Sequence, residues 1–305
     1  MAQTRGIFPE LNDNIDKTFS AIMKDRLKEL PKIYTRYYAT KTSDRKFERI
    51  VSYVPFGDVP TKAEGAAYTM DTLEPGYTKD FTHTEFGLGF EVTQTAFEDD
   101  PENILARCGE WLSFSARYVQ EGRAANVINN GHTTETTPDG GALFSSHTIK
   151  SGGTARNVLS ASADLSATSL MQALADMQTQ TKDEAGHLAA PIDGLILLIP
   201  PDLEFLADRL LNSALLPQSA DNDRNPIKAR RTWDIVVNPR LTDTDQWTII
   251  ASNKGSHGLT FYQRVPITVE PMVVDPRTGN KIFKCRHRFS VGAWCWQGTF
   301  GSPGA

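Results

Sequence analysis

The sequence predicts an α+β fold, and three observations carry it. Residues 100–130 keep a helical apolar period far beyond the length of an average helix. Residues 46–98 read as two strands separated by a wide polar loop. Residues 164–255 mix helical stripes with short apolar runs, in the order of an α/β unit.

The background composition permits such a fold. The chain has 305 residues, 39% hydrophobic and 23% charged, with 22 Gly and 17 Pro. These values exclude wholesale disorder and collagen-like repeats. The formal charge is −5 and the pI is about 5.7, so no basic excess marks a dedicated nucleic-acid binder. The longest purely apolar run is Leu195–Ile199, far short of the ~20 residues of a membrane span. The first residues, MAQTRGIFPELND, hold no apolar stretch of signal-peptide length, and cytoplasmic synthesis is expected. Three cysteines, Cys108, Cys285 and Cys295, are too few and odd in number for a disulfide framework.

The elements follow in order. Residues 10–30 read as an amphipathic helix through Ile15, Phe19, Ile22, Met23, Leu27 and Leu30, closed by Pro31. Its apolar face needs cover from distant parts of the fold or from another chain. Phe47, Ile50, Val51, Tyr53 and Val54 suggest a strand, and Phe81, Phe86, Leu88, Phe90 and Val92 a returning one. The Pro-, Gly- and Thr-rich stretch from Pro55 to Asp80 is the loop of this hairpin. A projection with so few apolar residues has no core of its own and is expected to be ordered against a neighbour.

For the long helix, Asp100 is an N-cap candidate, Pro101 sits at the first turn and Asn129-Asn130-Gly131 is a stop signal. Its stripe is read through Ile104, Leu105, Cys108, Trp111, Leu112, Ser115, Val119, Gly122 and Ala125 or Asn126. Residues 131–163 are polar with apolar anchors, and a hairpin that packs on something external is expected there. Then come a helix through Leu170, Met171, Leu174 and Met177, a strand at Ile192–Ile199, and a helix at Asp202–Asn212. A polar loop from Pro217 to Thr232 precedes strands at Trp233–Val237 and Trp247–Ala251. The remainder reads as strands at Leu259–Tyr262, Ile267–Val274, Lys281–Arg288 and Phe289–Gln297, with a turn at residues 275–280.

Candidate chemistry is sparse. Cys285 and His287 share one face of a strand and Cys295 could lie opposite, but a fourth ligand is missing and no metal is expected. Ser145-Ser146-His147 puts hydroxyls beside an imidazole, yet neighbouring strand residues point apart. No Walker loop, GxGxxG or GxSxG occurs, and no cofactor is expected. Arg224, Lys228, Arg230 and Arg231, with Asp221 and Asp223 beside them, form the densest charge group. It reads as a solvated loop, or as a mixed-sign contact between like loops at a ring centre.

This order of elements resembles the HK97 fold of tailed-bacteriophage major capsid proteins. The stretches Asp139-Gly140-Gly141-Ala142-Leu143-Phe144-Ser145-Ser146-His147 and Phe261-Tyr262-Gln263-Arg264-Val265-Pro266-Ile267 resemble the Mu-like major head subunit. So does Arg288-Phe289-Ser290-Val291-Gly292-Ala293. The resemblance implies an N-terminal arm at 1–43 and an extended loop at 44–98. It implies a peripheral domain at 99–163 with its spine helix at 100–130, an axial domain at 164–254, and closing strands of the peripheral domain at 255–305.

It further implies a non-enzymatic subunit that tiles an icosahedral shell as homo-hexamers and homo-pentamers around packaged double-stranded DNA. The implied partners are a portal, a separate scaffold and protease, since no room precedes the hairpin for a built-in scaffold, and a decoration protein. The place is the virion, with assembly in the host cytoplasm and no membrane. On this reading Phe56, Lys62, Tyr68, Tyr77 and Lys79 in the loop make intersubunit contacts. Asp223, Arg224, Lys228, Arg230 and Arg231 do the same at the ring, while Ile104, Cys108, Trp111, Leu112 and Val119 form the spine-helix core. The alternatives are an encapsulin-like nanocompartment shell, and a hydrolase using His147 and a serine.

Overall fold

Two four-stranded sheets share one long helix. The computed structural model describes residues 19–99, 104–189, 194–215 and 224–305. In chain order the first elements are α1 (residues 19–29), α2 (Tyr34–Tyr37), β1 (Ala39–Thr42), β2 (Phe47–Val54), β3 (Glu74–Thr82) and β4 (Thr84–Val92). Then come α3 (Gln94–Glu98), α4 (Ile104–Asn129), β5 (Ser146–Thr148), β6 (Thr154–Arg156), α5 (Ala167–Gln180) and β7 (Leu195–Ile199). The chain closes with α6 (Glu204–Asn212), α7 (Pro226–Arg230), β8 (Trp233–Val237), β9 (Trp247–Ala251), β10 (Leu259–Val274), β11 (Lys281–Ala293) and β12 (Thr299–Ser302).

The first sheet runs β1-β10-β11-β4 and the second β12-β9-β7-β8; β2-β3 and β5-β6 are separate ribbons. Strand β7 shows why the second sheet is a core layer. Leu195, Leu197 and Ile199 pack with α5 and α6, while Ile196 and Leu198 join the cluster under α2 and α4. A strand covered on both faces reads as an unbroken apolar run rather than an alternating one.

The N-terminal arm finds its cover within the chain. Phe19 and Met23 pack with Leu112, Ala116 and Phe283. The arm runs parallel to α4: Ser113 Oγ donates to the Met23 carbonyl at 3.3 Å and Arg117 Nη2 to the Leu27 carbonyl at 3.4 Å. Farther along, Tyr34 N donates to Glu121 Oε2 at 3.2 Å, and Tyr38 OH to the Ala124 carbonyl at 3.0 Å.

The structure corrects several expectations. The strand that returns along β2 is β3, which begins inside the stretch read as loop and ends just past Phe81, the first residue of the strand read as the return. The face of β3 turned to the body carries Tyr77, Lys79 and Phe81, and the lysine between the two aromatic residues breaks the apolar alternation that marks a strand. Strand β4, read as the return, instead pairs with β11 over Thr84–Val92 and belongs to the first sheet, not to the projection. Helix α7 interrupts the expected polar loop at 217–232. Strands β10 and β11 are single long strands, the irregularities in β10 marking where two were read. Strand β12 was not foreseen; it pairs with β9, so the chain ends in the second sheet rather than among closing strands of the first.

On α4 the buried stripe is rotated from the one read in the sequence. Leu112, Ser113, Ala116, Arg117, Gln120, Glu121, Ala124, Val127 and Ile128 face inward. Trp111 is 62% exposed, and Phe114 and Tyr118 lie exposed with it. Trp111 took the reading toward the solvent face, because its size was mistaken for burial; the true inner face is small and partly polar. Cys108 is half-buried, and Val119 is partly buried against the main cluster. The Ile104 side chain, Asp100, Pro101 and the expected start of the arm at residues 10–18 lie outside what is described.

His287 packs in a three-ring cluster with Phe86 and Phe289, its ring centroid 5.4 Å from each, while the two phenyl rings stack on each other at 4.9 Å. Neither ring nitrogen has a hydrogen-bond partner. Burial first, and then the nearby Arg117 charge, depress its pKa to about 4. A depressed imidazole contributes stability above its unfolded value of about 6.5, and that stability is lost as pH falls toward 4.

Two predictions follow from this packing. Trp111→Ala should change unfolding free energy by less than about 0.5 kcal/mol, whereas Leu112→Ala should cost about 2–4 kcal/mol, read by denaturant titration of circular dichroism. His287→Phe should flatten the acid side of the stability profile between pH 6.5 and 4, an effect of up to about 3 kcal/mol. An unchanged profile would place the acid sensitivity elsewhere.

Candidate functional site

Four of the residues singled out in the sequence, Tyr77, Lys79, Asp139 and His147, meet where the β2-β3 ribbon joins the segment after α4. That segment is anchored by Phe144, part of the main core cluster. A Cβ on Gly131 or Gly301 would stand 2.5 or 2.7 Å from the Phe144 ring, so the ring fits only because both flanking positions are glycine.

Asn157 fixes the next turn. Its Nδ2 donates to the Leu143 carbonyl at 2.8 Å and to Thr299 Oγ1 at 3.3 Å, while its Oδ1 accepts from Ser145 N at 3.0 Å. These bonds set the amide's orientation and leave Oδ1 facing His147 Nε2 at 3.3 Å. The other ring nitrogen, Nδ1, lies 2.8 Å from Asp139 Oδ2. The ring stacks on Trp296, with centroids 4.6 Å apart and planes 2° from parallel. Burial pushes the Asp139 carboxyl up, but the hydrogen bonds from His147 and from Thr137, with the His147 charge, outweigh it; the net direction is down.

This geometry is a clamp. Ser145 Oγ donates to the Ala142 carbonyl at 2.8 Å, so its hydroxyl proton goes to the backbone and not to the imidazole. His147 is fully buried, and both nitrogens are engaged. A hydrolytic dyad needs the nucleophile on the base's free nitrogen, and the arrangement here supplies none.

The ribbon sits on this clamped segment. Lys79 Nζ donates to the Thr136 carbonyl at 2.6 Å and lies 3.9 Å from Glu135 Oε1. Tyr77 OH donates to the Thr148 carbonyl at 3.3 Å, and Lys150 Nζ lies 4.6 Å from the centre of the Tyr77 ring. Tyr77 and Lys79, expected to reach another subunit, thus hold the ribbon to its own chain. A cleft of about 420 Å³ remains between ribbon and body, walled by Tyr53, Tyr77, Trp294, Trp296 and Glu184.

Beyond the seat the loop between β2 and β3 projects. Phe56, Val59, Tyr68, Met70 and Leu73 are exposed, Val59 by 96%. Lys62 lies 4.7 Å from the centre of the Tyr68 ring, and Asp58 meets His187 at 3.1 Å.

The charge group of the second sheet is dispersed. Asp221 and Asp223 lie outside the described residues. Arg224 forms an isolated bridge with Leu215, and Lys228 Nζ donates to the Asn212 carbonyl at 2.6 Å. Arg230 and Arg231 edge a groove against α5. Among the described residues no group of three His, Cys, Asp or Glu is placed to hold a metal ion. Cys295 lies past the end of β11, its thiol pushed up to about 12 by burial. Asn157 and Trp296, central to the clamp, were not foreseen; neither carries a local signal in a single sequence.

A family model described as phage capsid protein matches residues 76–300. The chain belongs to that family. The match runs from within β3 into β12 and so includes the clamp, α4 and every strand of the two sheets except β1 and the end of β12. The capsid of the cyanophage P-SCSP1u is similar in fold, with a TM-score of 0.62 at 10% identity over 90% of this chain and 88% of that one. The mature capsid of bacteriophage PhiM1 gives 0.58 at 11%, covering 90% and 87%. A virus-like particle from Pyrococcus furiosus gives 0.51 at 12%, covering 94% and 98%. No curated protein matches the chain.

The fold is therefore HK97-like, and the protein is a structural capsid protein of a phage shell, not an enzyme. The encapsulin alternative has less support, because the family model is that of phage capsids. No helix among the described residues is long and apolar enough to cross a membrane.

The clamp generates a pH-dependent prediction. With its folded value depressed, Asp139 contributes stability above the ordinary carboxylate value of about 4, and loses it as pH falls further. Asp139→Asn should remove that acid-side slope. His147→Phe keeps the stack on Trp296 but leaves Asp139 buried without its partner, and should cost about 2–4 kcal/mol at neutral pH by thermal melting.

Proposed function

We propose that this chain is the major head subunit of a tailed double-stranded DNA phage, of the Mu-like type, assembling as hexamers and pentamers. The projecting loop is the observation that supports this most. Its exposed Phe56, Val59, Tyr68, Met70 and Leu73 sit on a ribbon seated firmly at one end. Large apolar side chains on a projection are stabilised only when another molecule covers them, and a neighbouring subunit is the cover that a closed shell supplies. Many such modest contacts in parallel lock a shell.

In this reading residues 1–43 are the arm and 44–82 carry the extended loop. The first sheet with α4 forms the peripheral domain, and the second sheet with α5–α7 the axial domain. The Mu-like assignment rests on the Asp139–His147 stretch, which builds the clamp, and on the Phe261–Ile267 and Arg288–Ala293 stretches of β10 and β11. The partners that go with it are a portal, a separate scaffold and protease, packaged DNA held without sequence preference, and a decoration protein. Assembly takes place in the host cytoplasm. A chain of net charge −5 does not cling to the DNA it must admit and release.

The test spares the seat of the ribbon. Replacing residues 59–70 by a short Gly-Ser link should leave the wild-type melting curve intact, yet abolish closed particles in negative-stain electron microscopy of protein co-expressed with its scaffold. Closed, stable shells from the shortened chain would remove the loop's role. Rings of five and six subunits from the full chain would support the tiling.

A further inference from the structure

Helix α6 carries Phe205, which is 85% exposed, the largest exposure of any aromatic side chain among the described residues. Asp202, Glu204 and Asp208 are exposed around it, with Arg209 the one basic residue on that face. Elsewhere on the same layer an open groove lies between α5 and α7. Met171, Leu174, Ala175 and Pro226 line it, and Arg230 and Arg231 stand at its edge. Its volume, about 600 Å³, is ample for an aromatic ring.

The two features complement each other in shape and in charge. One is an apolar knob in an acidic rim; the other is an apolar hollow with a basic rim. We propose that Phe205 of one subunit inserts into the α5–α7 groove of the next subunit around the ring. No residue of α6 lines the groove, so the contact joins two different surfaces. A contact between unlike surfaces runs head to tail and closes into a ring when the rotation allows. A central aromatic anchor with charges at its edge is also the usual form of an energetically dominant contact. This gives Arg230 and Arg231 their part in the capsomer: they face the acidic surface of α6 next door. The inference rests on the ring-forming reading proposed above.

The test joins the two surfaces covalently. Phe205→Cys combined with Ala175→Cys, oxidised in assembled particles and run without reductant, should give a ladder ending in pentamers and hexamers. Each single variant and the wild type should give none. Phe205→Ser should lower the yield of shells about tenfold or more with an unchanged melting curve, because the side chain lies outside the subunit core. Arg230→Glu with Arg231→Glu should lower the yield likewise, and adding Asp202→Lys with Asp208→Lys should restore part of it.

Normal shells from Phe205→Ser, with no ladder from the double cysteine variant, would overturn the contact while leaving the capsid reading intact. Crosslinks to a co-expressed scaffold instead of a second copy would also overturn it. Failure of the wild type to form rings or shells, alone or with scaffold, would overturn the ring-forming reading and this contact with it.

Discussion

A charged patch buried halfway along α4 governs how the rest of the chain is arranged. Arg117, Gln120 and Glu121 lie almost wholly out of solvent. Arg117 Nη1 donates to Gln120 Oε1 at 2.8 Å, and its Nη2 reaches the Leu27 carbonyl. Glu121 accepts from the backbone at Tyr34, and burial pushes its carboxyl upward. Buried charges add little net stability, yet a lost partner costs several kcal/mol. Their effect is directional: the arm binds α4 in one register, because only that register supplies the carbonyl and the amide. Apolar contacts alone, through Phe19 and Met23, would tolerate sliding.

From that fixed helix the two sheets are placed. The C-terminal half of α4 contributes Ala124, Val127 and Ile128 to the cluster shared with β7, β8, β9, β10 and β11. The chain then leaves α4 and passes at once into the segment held by Asn157 and His147. Anchoring the ribbon there gives the projection a stiff base and a soft end. Hydrogen bonds from Tyr77 and Lys79 hold the base, and Ser52 Oγ takes part inside it, 2.7 Å from Tyr77 N. The irregular loop beyond has mainly contacts within itself and the pair between Asp58 and His187.

Much of this order was legible in the sequence, and the failures share a cause. Strand β7 announced itself because five apolar residues in a row fit few other places. The long helix was legible from its length, but its inward face was not. Trp111 outweighs alanines and serines in a hydrophobic reading, while Arg117 and Glu121 look like surface residues. Strand β3 was missed because Lys79 sits between Tyr77 and Phe81 on its inward face and breaks the apolar alternation. In the clamp, His147 and Asp139 stood out as residue types, but their pairing depends on Asn157 and Trp296, one of them 139 positions from the other. Such pairings exist only once the chain has folded.

The placement of β12 bears on when the fold is completed. Thr299–Ser302 pair with Trp247–Ile250 at the edge of the second sheet, and the Phe300 ring fills the cluster beneath α5 and α6. During synthesis that sheet lacks an edge strand and a core ring until residue 302 has left the ribosomal tunnel. Contacts of such long sequence separation form late. The core beneath the helical layer is therefore incomplete until β12 has docked, and the second sheet takes its final form as one of the last steps of folding.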